Sequence, residues 1–68
     1  MNTKDYINAM IDELNERDAG RYVWHVNSVY TAAHRRKVGA TIDAGGIVGT
    51  PNDVITFLQN RLQDTRTA

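Results

Sequence analysis

The side chains with the clearest chemical potential are two histidines, His25 and His34, and the run His34-Arg35-Arg36-Lys37. Four potential donors in a row can hold phosphates or carboxylates by charge-assisted hydrogen bonds. Tyr30 lies close in sequence and could stack on a base or anchor a protein contact. On an exposed turn the same run is equally a solvated tip. The two histidines, nine residues apart across a turn, do not have the spacing of a metal-ligand pair, although a hairpin could bring them near each other. There is no Cys, and the sequence pattern makes no third and fourth ligand evident. A His–Asp pair for acid–base work has no accompanying nucleophile motif, and Ser28 is the only serine. Gly45-Gly46-Ile47-Val48-Gly49-Thr50 precedes a helix start, as phosphate loops do. It lacks the Gly-Lys-Ser/Thr ending, and Pro51 removes one anion-binding N–H. The residues therefore predict a non-catalytic chain with no cofactor and no metal.

Charge is sorted along the chain although the net charge is zero. Asp5, Asp12, Glu13, Glu16 and Asp18 crowd the first eighteen residues against Lys4 and Arg17. Arg21, Arg35, Arg36 and Lys37 follow with no acid before Asp43. One end of the fold should be acidic and one edge basic, which bears on partners rather than on fold. The stripe Asp5, Asp12, Glu16 is a second candidate partner surface, facing a basic protein. A neutral chain with an acidic helix makes nucleic acid a poorer fit than protein, because phosphate affinity needs several uncompensated cations.

These residues need elements to position them. Lys4 to Asp18 runs without Gly or Pro, with Asn2 or Thr3 as N-cap and Gly20 placed to end a helix. Ile7, Met10, Ile11 and Leu14 recur at helical spacing on one face. Arg21 to Thr31 is β-branched and aromatic, with Tyr22, Trp24, Val26 and Tyr30 on one strand face. Ala32 to Arg36 reads as a hairpin tip carrying His34, Arg35 and Arg36. A competing helix from Ser28 to Val38, capped by Asn27 and stopped by Gly39, is less favoured because Val29-Tyr30-Thr31 prefers strand. Lys37 to Asp43 reads as the return strand, with Val38, Ala40 and Ile42 on one face. Gly45-Gly46 marks a turn, and Ile47-Val48 could add a short third strand. Thr50, Pro51 and Asp53 form a capping box for a last helix striped by Val54, Leu58 and Leu62. Residues 65–68 read as a frayed tail.

The expected fold class is α+β in one domain, residues 1–68. It is helix, β-hairpin with room for a third short strand, then helix, both helices on one face of a small antiparallel sheet. The expected core is Ile7, Met10, Ile11, Leu14, Trp24, Val26, Val38, Ile42, Val54, Leu58 and Leu62. In element order the chain resembles the double-stranded RNA-binding domain, which is helix, three strands, helix. That family places a Lys-rich cluster at the start of its last helix, where this chain reads Thr50-Pro51-Asn52-Asp53. It is also similar in order and length to the small head-joining proteins of tailed phages.

An apolar fraction of 41% and a charged fraction of 24% suit a globular domain and argue against disorder. No apolar run approaches the roughly 20 residues of a membrane span. The polar N-terminus lacks the apolar centre of a signal peptide, and the absence of Cys favours the cytoplasm. The chain reads as a complete small protein. Below roughly 70–80 residues one core rarely supplies more than about 3–5 kcal/mol, so a partner or self-association is expected. The function expected is a protein-binding module, a small regulator or inhibitor of phage or mobile-element type. The alternatives are a dimeric nucleic-acid-binding regulator using the basic run, and a structural subunit of a larger assembly.

Overall fold

A computed structural model describes residues 2–64. The tail 65–68, read above as frayed, lies outside the described residues. The order is α1 (Thr3–Arg17), β1 (Tyr22–Val26), β2 (Ala32–Lys37), β3 (Asp43–Val48) and α2 (Pro51–Asp64). The strands form one antiparallel sheet in the order β1-β2-β3. Helix α1 packs along β1, α2 packs on β2 and β3, and the two helices touch each other. The α+β class, with both helices on the sheet, is as the sequence predicts.

The helix starts obey their caps. Asn2 Oδ1 accepts from the Asp5 N–H at 2.9 Å, filling an N–H that the first turn would orphan. At α2 the capping box is reciprocal. Thr50 Oγ1 accepts from the Asp53 N–H at 3.2 Å, and Asp53 Oδ2 accepts from the Thr50 N–H at 3.0 Å. Ile7, Met10, Ile11 and Leu14 from α1 meet Trp24, Ala33, Val54 and Leu58 in one buried cluster, with Val26, Tyr30, Ile47, Ile55, Phe57 and Leu62 packed around it.

The end of α1 is fastened to β1 by polar groups. Asp18 caps the helix, its own N–H donating to the Leu14 carbonyl. Gly20, at φ +85°, then turns the chain where a side chain would be strained. The Asp18 carboxylate is buried and accepts from the Trp24 indole N–H at 2.7 Å. Asn15 bonds Trp24 twice, accepting from its N–H at 2.7 Å and donating to its carbonyl at 3.0 Å. Edge strand β1 thus has Trp24's outward backbone groups paired rather than offered to another chain.

Three expectations are corrected. The β1–β2 hairpin tip is not Ala32 to Arg36; the turn lies at 27–31. Asn27 decides this, because its Oδ1 accepts from the N–H groups of both Thr31 and Ala32, at 2.8 and 3.2 Å. Tyr30 takes φ +60° in that turn, so the strand preference of Val29-Tyr30-Thr31 gives way to side-chain capping. The competing helix over Ser28 to Val38 does not form. The return strand begins at Ala32, five residues earlier than predicted. With that shift, Val38 and Ile42 fall in the β2–β3 turn and are exposed, Ile42 at 79%, while Ala33 and Ile47 take the inward positions. Finally, Gly45-Gly46 is strand, not turn. A Cβ on Gly46 would come within 2.5 Å of the Ala33 carbonyl oxygen and of His34 Cβ, so only glycine lets β3 lie this close to β2.

Candidate functional site: the open face of the sheet

Alternation along each strand divides the sheet into two faces. Trp24, Val26 and Ala33 point to the helices, so Val23, His25 and His34 point away, onto a face that no helix covers. With the turn at 27–31, His25 is directly opposite His34. Their rings meet edge to face with centroids 4.1 Å apart. On the other side of β2, a register irregularity between Arg35 and Arg36 sets Asp43 opposite Arg36.

The Asp43 carboxylate divides its two oxygens. Oδ1 accepts from Arg36, 3.2 Å from Nη2 and 3.3 Å from Nε. Oδ2 lies 3.7 Å from His34 Nε2. A donor atom from each of His25, His34 and Asp43 lies within 4.8 Å of the other two. Partial burial lowers the pKa of His25 below the usual 6.5. The nearby His34 and Arg36 add to that effect and Asp43 opposes it. Gly46, opposite His34, carries no side chain and leaves this imidazole uncovered on its β3 side. A shallow depression of about 320 Å³ opens there, lined by His34, Asp43, Gly45, Gly46, Ile47 and Val48. Around the polar centre stand Val23, 52% exposed, and Val48, 85% exposed.

The predicted basic run is split by the strand it occupies. His34 and Arg36 lie on the open face, and Lys37 is exposed at the end of β2. Arg35 points the other way. Its guanidinium sits 4.3 Å from the Tyr22 ring centroid and 5.7 Å from that of Trp24, a stacked and half-buried place. Arg21 is exposed near Lys37 and pairs at 3.5 Å with the buried Asp18. Tyr30 does not project. It packs against the core from the turn, and its hydroxyl accepts from Asn8 Nδ2 at 3.0 Å. Asp5, Asp12 and Glu16 are exposed on α1, on the side away from its buried stripe. They stand apart from the His25–His34–Asp43 cluster.

At the start of α2 the Thr50 and Asp53 N–H groups are engaged. Thr50 and Asp53 satisfy each other, Pro51 has none, and the first turn carries no Lys or Arg. Sequence reading singled out His34 and Arg36, and a hairpin as what could bring His25 near His34, but not Val23, Asp43 or Gly46 as their neighbours. The signal was Asn27: its turn chemistry sets the hairpin register, and the register brings the two histidines together. No protein-family model matches the chain, nor does any curated protein or solved structure.

Proposed function

We propose that this protein is a non-catalytic protein-binding module that docks the open face of its sheet on an acidic, partly apolar protein surface. The observation that carries this reading is the one-sided packing of the helices. It leaves Val23 and Val48 exposed on the outer face, around His25, His34 and Arg36. The adjoining β2–β3 turn adds exposed Val38 and Ile42, and Arg21 and Lys37 lie at the same end. Aliphatic side chains flanking a polar centre, with Arg21 and Lys37 at one end, suit a partner with apolar residues and neighbouring carboxylates. The acidic side of α1 orients the molecule by repelling such a partner. In this reading the chain acts in the cytoplasm as a small regulator or inhibitor, of the kind phages and mobile elements carry.

Phosphate recognition has less support. Arg35 is committed to two aromatic rings and Arg36 to Asp43, which leaves few cations uncompensated for a nucleic-acid backbone. The test is affinity capture by the tagged chain from its host lysate, with and without nuclease and across a salt series. A stoichiometric protein that survives nuclease is the expected result. Recovery that collapses on nuclease treatment, or falls as steeply with salt as multiple phosphate contacts require, would replace this reading with nucleic-acid binding. Recovery of the chain alone, with a mass that rises with concentration, would replace it with self-assembly.

A further inference from the structure

The cluster at the centre of the open face has a second property, which does not depend on any protein partner. His25, His34 and Asp43 come from three adjacent strands and converge with donor atoms within 4.8 Å of one another. We propose that they form a binding site for a late first-row divalent metal ion of the Zn²⁺ class.

The donor set selects the ion. Two imidazole nitrogens and one carboxylate oxygen suit Zn²⁺, Ni²⁺ or Cu²⁺, whereas Mg²⁺ and Ca²⁺ take oxygen-rich sites. Bond lengths of about 2.0–2.2 Å at tetrahedral angles put neighbouring ligand atoms about 3.4 Å apart. His34 Nε2 and Asp43 Oδ2 are already 3.7 Å apart. The histidine rings close the rest by rotating from their edge-to-face contact, a side-chain change that leaves the strand register untouched. Both lie on the uncovered face, so no packed neighbour from the helices opposes the rotation.

Asp43 is prepared for this role by Arg36. The guanidinium holds Oδ1 and fixes the carboxylate plane, while Oδ2 stays on the His34 side. That is the orienting part an outer partner plays at a metal ligand. The same guanidinium cancels the charge of Asp43, so the site holds its ion more weakly than one with an unpaired carboxylate. Three protein donors leave a fourth position for water, the ligand count of an open site rather than a closed structural one. Gly46 keeps the approach to His34 clear.

The experiment is a titration of the metal-free chain with zinc chloride alone at neutral pH, followed by calorimetry and by the imidazole NMR signals. The expected result is saturable binding of one ion per chain, with the signals of His25 and His34 moving together. His25→Ala and His34→Ala should each weaken binding at least about tenfold, and Asp43→Asn by a comparable factor, with unchanged circular dichroism. Magnesium chloride should move neither histidine. Absence of saturable shifts at millimolar zinc would overturn the proposal, as would movement of only one histidine. Uptake that survives both alanine substitutions would place the metal elsewhere and overturn it equally. The wild-type NMR readout decides the matter even if a variant fails to fold.

Discussion

The inner and outer faces of the sheet are made by the same three strands and solve opposite problems. On the inner face the polar groups beside Trp24 are tied down, although the buried Arg61 Nε, next to the same ring, has no hydrogen-bond partner among the described residues. Asn15 occupies both backbone groups of Trp24, Asp18 takes its indole N–H, and Arg35 lies against two aromatic rings. Trp24 itself is 2% exposed and touches Phe57, with ring centroids 6.2 Å apart. On the outer face the polar groups pair with one another across strands and stay partly in water, while Val23 and Val48 are left without cover. The two faces show where the free energy of folding resides. Groups removed from water cost much to disturb. Groups at the surface cost little, and their arrangement is available for something other than stability.

That contrast can be broken by substitution. Trp24→Ala should have the largest effect, about 3–5 kcal/mol by urea unfolding, because it empties the middle of the core. In a domain this small such a loss leaves the chain largely unfolded at room temperature. A loss below about 1 kcal/mol would mean the inner face is not the packed one. Asp18→Ala should cost about 1–3 kcal/mol, since it leaves the buried indole N–H without an acceptor. Asn15→Ala should cost about 1–2 kcal/mol by the same measurement and expose the backbone of β1 at Trp24. Amide exchange at Trp24 should quicken in that variant while exchange within α2 does not.

Smaller effects sharpen the comparison. Thr50→Ala removes one half of the capping box and should cost about 1 kcal/mol. On the outer face, Val23→Thr and Val48→Thr should each change stability by no more than about 0.5 kcal/mol. A loss of several kcal/mol in either would show that this face is packed rather than open.

The sequence made the helices and the inner stripe legible because those signals are local. The spacing of Ile7, Met10, Ile11 and Leu14 and the Thr50–Asp53 box each lie within one or two turns of chain. Trp24 and Val26 could be placed inside for the same reason. The β2 register was not local in that sense. It rests on Asn27 capping the N–H groups of Thr31 and Ala32, and on a left-handed Tyr30 that strand propensity argues against. One displaced turn moved Val38 and Ile42 out of the core and put His34 in mid-strand. Asp43 could not be joined to the histidines until β3 was known to start there. Gly45-Gly46 hid that start, because glycine pairs signal turns far more often than strands pressed against a neighbour.

The most direct test of the open face as the working surface is a side-by-side capture experiment. Wild type, a Val23→Thr/Val48→Thr double variant and an Asp12→Asn/Glu16→Gln double variant are offered the same nuclease-treated lysate. The amount of the stoichiometric partner is then compared, with circular dichroism as the folding control. If the open face is the working surface, the sheet variant loses the partner while the α1 variant keeps it. Equal recovery by wild type and the sheet variant, or loss confined to the α1 variant, would contradict it.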